Sequence, residues 1–216
     1  MRKILLLVLA FILICFLIPI IFTNRININP KEEPVNANEK KSDDKDNVSI
    51  NTYNYKNYAR IKLLHSETSS VEEMGLDEYL YGVVASEMPA NFDVEALRAQ
   101  AIVARTYTIH SIVYKKKHEV ADICDNPNCC QAWISKEDRV SKWNEDERES
   151  NWKKIVEAVN STQGKIITYE GKVIEAFFHA NSGGKTETAI NVWGEKEEYP
   201  YLGVVETARR RCVFTV

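Results

Sequence analysis

Positive charge is not in surplus in this chain: 28 lysines and arginines stand against 31 aspartates and glutamates, a net charge of −3. Without a basic surface there is no electrostatic footprint for nucleic acid. No G-x-x-x-x-G-K phosphate loop and no dinucleotide fingerprint occurs, which excludes the common nucleotide-binding folds. A Gly-x-Ser-x-Gly elbow and a His-Glu-x-x-His pair are also missing, and with them the usual serine hydrolase and zinc protease sites. No internal repeat is present, so a solenoid or propeller is excluded.

One long stretch has no charge at all. Residues 4–22 are apolar throughout and follow Arg2 and Lys3. Nineteen such residues just span a hydrocarbon core, and the basic flank places the N-terminus in the cytoplasm. A cleaved signal peptide is the alternative. The run is longer than the usual apolar region of one, and no A-x-A-like site follows. The expectation is a single-pass membrane anchor over residues 1–25 with everything after it extracytoplasmic. Residues 26–57 are rich in Asn, Lys, Asp and Glu and read as a polar disordered linker.

The following domain, residues 58–202, mixes helical and hairpin patterns without regular alternation. That predicts an α+β fold of helices and antiparallel strands. Residues 58–64 read as a first strand and residues 74–88 as a first helix, with Leu80, Val83 and Val84 on one buried face. Glu87 falls on that same face, just before Met88-Pro89 ends the helix. A second helix spans residues 94–114, capped by Asp93 with a Phe92–Leu97 staple. Its alanines at 96, 99, 101 and 104 permit close packing. The charged stretch 133–148 reads as a loop or insertion. A third helix over 151–162 buries Trp152, Ile155, Val156 and Val159, and Gly164 terminates it. Glu170-Gly171 between two apolar runs is a strong hairpin signal.

A carboxyl on the apolar side of a helix end has its charged form disfavoured, the profile of a general acid. Glu87 is therefore the sharpest catalytic candidate, against the plainer reading of a hydrogen-bonded structural carboxylate. Arg98 and Arg105 share a face of the second helix and, with Lys185, are candidate anchors for polar substrate groups or else solvated surface. The Ser182-Gly183-Gly184-Lys185-Thr186 loop at a strand end can approach a ligand closely, or be a flexible turn. Most glycosidases need two carboxylates. Asp93 and Glu95 are explained by capping, so a lone acid suits a reaction whose substrate supplies the nucleophile.

Three of the five cysteines cluster with a histidine: His118, Cys124, Cys129 and Cys130. Four soft ligands within 13 residues suit a tetrahedral zinc, and a full protein ligand set makes such a zinc structural. A disulfide from Cys124 to Cys129 or Cys130 is the rival, permitted outside the cytoplasm.

Three segments together, EYLYGVVASEMPANFDVEALRAQAIVARTY, CQAW and FFHANSGGKTE, resemble the stage II sporulation protein D family. The resemblance implies a membrane-anchored lytic transglycosylase that cleaves peptidoglycan during forespore engulfment. It implies Glu87 as catalytic acid, Arg98 and Arg105 beside it, and Ser182, Gly183, Gly184, Lys185 and Thr186 as a glycan-binding loop. In clostridial-type members the His/Cys cluster implies zinc. Implied partners are glycan strands, the cell membrane, an amidase and a membrane scaffold. The alternative is a non-catalytic wall-binding module that stimulates an amidase, as in the related amidase-enhancer proteins. Residues 203–216 depart from the family pattern, so the domain is expected to be incomplete and its tail divergent.

Overall fold

The computed structural model describes residues 48–52 (backbone only), 58–194 and 199–206. The expected anchor at 4–22 lies outside them, as does most of the expected linker. Among the described residues no helix is long and apolar enough to cross a membrane.

The chain runs through strand β1 (Val48–Thr52), β2 (Arg60–His65), β3 (Ser70–Gly75), helix α1 (Leu76–Glu87), α2 (Val94–Tyr114), β4 (Ile123–Cys124), α3 (Lys136–Ser141), α4 (Arg148–Ser161), β5 (Lys165–Tyr169), β6 (Lys172–Val173) and α5 (Ala189–Trp193). The mixed α+β content matches the sequence reading. Two small sheets flank the helices, in the orders β1-β5-β6 and β3-β2-β4. The expectation of antiparallel strands alone needs correction, because β4 runs parallel to β2, pairing Leu63 with Ile123 and Leu64 with Cys124.

Helix α2 is the central element. Asp93 caps it by accepting from the Glu95 backbone N–H at 2.9 Å. Its small residues Ala101 and Ala104 are fully buried in a core with Leu80, Val83 and Val84 of α1 and Ile155, Ala158 and Val159 of α4. Burying an aliphatic side chain of this size contributes roughly 1.5–3 kcal/mol. The sequence places Leu80, Val83 and Val84 on the correct face.

Three elements differ from the sequence reading. Residues 70–75 form β3, antiparallel to β2, where the helix was expected to begin at 74. The turn between these strands has Ser69 in the left-handed region, at φ 57. It lacks the Asn-Gly or Asp-Gly pair that advertises a hairpin. The charged stretch 133–148 contains α3, capped by Ser135, whose hydroxyl accepts from the Asp138 N–H at 3.0 Å. Residues 48–52, expected within the disordered linker, pair antiparallel with β5 from Val48↔Tyr169 to Thr52↔Lys165. Their V-S-I-N-T pattern has the period of a strand, and β5 offers it a free edge.

The hairpin at Glu170-Gly171 is as expected. Both residues have positive φ, 49 and 78, the conformation that a two-residue hairpin turn demands. Gly164 also adopts positive φ, but the helix cap is Thr162, so the glycine lies one position beyond that expected.

Candidate active site

Glu87 closes α1 and is half-buried. Its Oε1 accepts a hydrogen bond from the backbone N–H of Ala132 at 2.9 Å. Burial pushes its carboxyl above the usual carboxylate range, and the Ala132 bond partly offsets that rise. Glu87 can therefore hold a proton where an exposed glutamate has lost it. A carboxyl of this kind donates a proton to a substrate oxygen and takes one back.

The residues around Ala132 explain why its N–H stays in place. Gln131 is buried, and its side-chain amide donates to Thr108 Oγ1 at 3.1 Å, to Tyr79 Oη at 3.3 Å and to the Ala104 carbonyl at 3.4 Å. Trp133, on the other side, lies tightly over Gly82 of α1. A Cβ at Gly82 would stand 2.2 Å from Trp133 Nε1 and 2.7 Å from the Ile134 carbonyl oxygen. Only glycine admits that approach. The 131–133 segment is thus fastened on both flanks, with the one N–H between them directed at Glu87. The sequence carries this contact only as the CQAW segment; a backbone donor leaves no side-chain signature of its own.

The other candidates are distributed differently from the sequence expectation. Arg105 is not beside Glu87 but inside the core, with 0% exposure. Its guanidinium donates to the Thr162 carbonyl at 2.9 Å, to the Val159 carbonyl at 3.2 Å and to Asp77 Oδ1 at 3.3 Å. Asp77 in turn accepts from the Gln163 amide at 2.6 Å. A buried guanidinium so engaged ties α1, α2 and the end of α4 together and offers nothing to a ligand. Arg98 remains partly exposed, donating to Ser161 Oγ at 3.0 Å and paired with Glu95. Glu87 is hydrogen-bonded to Ala132, whereas the two arginines are engaged by Ser161, Glu95, Thr162, Val159 and Asp77.

In that loop Gly183 and Gly184 have positive φ, 70 and 105. The Gly184 N–H donates to Ser182 Oγ at 3.3 Å. Thr186 anchors the loop to the following chain: its N–H donates to the Val205 carbonyl at 2.9 Å and its hydroxyl to the Gly203 carbonyl at 3.0 Å. Lys185 forms a β-bridge with Glu206 while its residue stays exposed. Residues 203–206, expected to begin a divergent tail, therefore hold this loop. A second buried carboxylate, Glu175, is engaged by Lys115 Nζ at 2.7 Å and Tyr199 Oη at 3.1 Å.

His118, Cys124, Cys129 and Cys130 converge. Their ligand atoms all lie within 4.8 Å of one another, and the three cysteines are free thiols. Strand β4 delivers Cys124. The following turn returns Cys129 and Cys130, whose N–H groups both donate to the Asn126 carbonyl, at 3.0 and 2.8 Å. The set can hold a metal ion. Burial, with the neighbouring Cys124, pushes the Cys130 thiol up to about 12, so a metal binding there must displace the Cys130 proton.

Known proteins share this arrangement of motifs. The SpoIID family model, described as stage II sporulation protein, matches residues 64–169. Stage II sporulation protein D of Bacillus subtilis is 41% identical over 149 residues, covering 68% of this chain and 43% of that protein. Its Bacillus amyloliquefaciens counterpart is 40% identical over 149 residues, covering 68% of this chain and 42% of that protein. The amidase enhancer of Bacillus subtilis is 33% identical over 123 residues, covering 57% of this chain and 14% of that protein. The chain spans less than half the length of the two sporulation proteins it matches. The matched span contains Glu87, its Ala132 partner and the whole His/Cys cluster, and the chain belongs to the stage II sporulation protein D family.

Proposed function

We propose that the protein is a lytic transglycosylase of peptidoglycan, cleaving the bond between N-acetylmuramic acid and N-acetylglucosamine. The observation that carries this reading is the half-buried Glu87, its proton affinity raised by burial and its orientation fixed by one backbone N–H. Protonated Glu87 donates to the glycosidic oxygen as the C1–O bond breaks. The muramic 6-hydroxyl attacks C1 and gives its proton to the Glu87 carboxylate. A 1,6-anhydro ring forms, the acid is regenerated and no water is consumed, so one carboxyl serves both steps. The membership in a sporulation family supports action on the cell wall during engulfment, from an anchor at residues 4–22 in the cell membrane, alongside an amidase and a membrane scaffold.

The His/Cys cluster fits a structural zinc. Tetrahedral zinc with ordinary bond lengths separates two sulfurs by about 3.8 Å and a sulfur from a nitrogen by about 3.6 Å. Cys129 and Cys130 Sγ stand 3.8 Å apart, and each is 3.7 Å from His118 Nε2. Bound there, zinc would crosslink β4, the 126–130 turn and the segment after α2. It has no part in the bond cleavage.

Sacculi digested with the full chain should yield 1,6-anhydromuramic ends by mass spectrometry, and Glu87→Gln should give none while melting at no lower temperature. Undiminished anhydro product from Glu87→Gln would remove Glu87 from the reaction. The similarity to an amidase enhancer favours a second reading, a wall-binding stimulator of a separate amidase. That reading predicts no anhydro ends from the wild type and faster peptide release when amidase is added.

A further inference from the structure

A cavity of about 600 Å³ opens beside the catalytic segment, between the β2–β3 turn and the Asp125–Pro127 turn. Trp133 forms one wall, and it directly follows Ala132, the hydrogen-bond partner of Glu87. Consecutive Cα atoms are about 3.8 Å apart, so the backbone that holds Glu87 continues directly into this wall. Its volume is that of a small-ligand site.

Its lining is selective. Ser66, Thr68, Asn126 and the carboxylates of Glu67 and Asp125 line it together with Trp133, with no lysine or arginine among the described lining residues. Asp125 is held rigidly: Oδ1 accepts from the Ser66 N–H at 2.9 Å and Oδ2 meets His65 Nδ1 at 3.3 Å. His65 Nε2 in turn meets Glu72 at 2.9 Å, and the His65 ring lies edge-on to Trp133, centroids 5.5 Å apart. The walls are therefore preorganised, polar and acidic in balance, with one aromatic face. A carboxylate entering here would find the like charge of Glu67 and Asp125 and no lysine or arginine. A neutral pyranose would find hydroxyl, amide and carboxylate partners around an apolar ring.

We propose that this cavity is a saccharide subsite that takes the neutral N-acetylglucosamine unit and excludes the anionic, peptide-bearing sugar. The inference rests on the glycan reading of Glu87 and deepens it: the cavity fixes which of the two alternating sugars lies on the Trp133 side of the acid. Register along the strand then follows from charge, since the lactyl and peptide carboxylates are kept out.

The test uses chitotetraose, a neutral N-acetylglucosamine oligomer, and the full chain. Saturation-transfer NMR and calorimetric titration should show binding to the wild type. Thr68→Arg, which fills an exposed rim position and adds a cation, should weaken it at least tenfold. Glu157→Arg on the exposed side of α4 should leave it unchanged, and melting curves of both variants should match the wild type. No chitotetraose binding, or equal binding by Thr68→Arg, would overturn the subsite. Tighter binding of muramyl dipeptide than of chitotetraose by the wild type would also overturn it. The anhydro-sugar assay run in parallel separates the two ideas. Thr68→Arg-sensitive binding without anhydro product removes the transglycosylase reading and leaves a saccharide subsite. Anhydro product with unchanged KM in Thr68→Arg removes the subsite alone.

Discussion

At Glu87 two opposed effects act on one carboxyl. Burial raises its proton affinity, the Ala132 N–H lowers it, and burial prevails. A carboxyl whose folded pKa exceeds its unfolded value favours the folded state while protonated, and that contribution is lost as pH rises through the folded pKa. Glu87→Gln, neutral at every pH and still able to accept from Ala132, should therefore melt slightly higher than wild type at pH 7, on the order of a degree. The difference should vanish below the ordinary carboxylate range, and thermal melts at a series of pH values check it. Activity should fall along an alkaline limb set by the same group, because the deprotonated form cannot donate. The candidacy of Glu87 is legible in sequence, since its spacing from Leu80, Val83 and Val84 puts it on an apolar face. The moderating donor is not legible, because any residue type supplies a backbone N–H. Arg105 misleads for a related reason: helical spacing tells which face a residue takes, but not whether that face meets solvent or, as here, Thr162, Val159 and Asp77.

Among the elements, α1 carries Glu87 at its end, and the rest of α1 and α2 serve the site through their packing. Gly82 lets Trp133 lie on α1, and that seat holds the Ala132 N–H on Glu87. Gly82→Ala forces the indole or the Ile134 carbonyl to move, overpacking that destabilises by about 1–3 kcal/mol. If Ala132 moves with it, the carboxylate loses the bond that favours its charged form. The Glu87 pKa should then rise further and the alkaline limb of the activity profile shift to higher pH, which a pH–rate series and a carbon-detected NMR titration of Glu87 would follow. Arg105 does comparable work from within α2. Arg105→Met leaves Asp77 without its buried guanidinium and should cost about 3–5 kcal/mol in urea denaturation. KM for glycan in the folded fraction should not change, whereas a substrate anchor would raise it. The long α2 is legible in its Asp93 cap and closely spaced alanines. Strand β3 is not, because its pairing depends on β2 and on a turn whose Ser69 strain has no characteristic dipeptide.

Across the described residues, polar links far apart in sequence stitch the β3-β2-β4 sheet to the helical core. Lys117 and Tyr107 both bond the Cys129 carbonyl, and Asp125 reaches back to Ser66, so the His/Cys turn is shared between α2 and the β2–β3 hairpin. The sequence announces the cluster, because four soft ligands fall within 13 residues, but it leaves a zinc and a disulfide both open. It gives no sign that β4 docks parallel to β2 and so sets the cluster next to the cavity wall. A metal bound only by the folded cluster stabilises the fold by mass action, about 4 kcal/mol when free metal is a thousandfold above its Kd. One equivalent of zinc should raise the melting temperature, and a chelator should lower it to that of Cys124→Ser, which removes the buried ligand that β4 supplies. Since binding displaces thiol protons, the zinc-dependent gain should grow as pH rises from 6 to 8. A disulfide in the cluster predicts the opposite pattern: loss of melting temperature with reductant and none with chelator. Asp125 connects the two features, adjoining Cys124 and lining the cavity, so chelation should also weaken chitotetraose binding without changing residues 65–70 themselves. Calorimetric titration of chitotetraose before and after metal removal, at a temperature below both melts, reads that coupling directly; equal affinities would show that the cluster supports the fold but not the cavity.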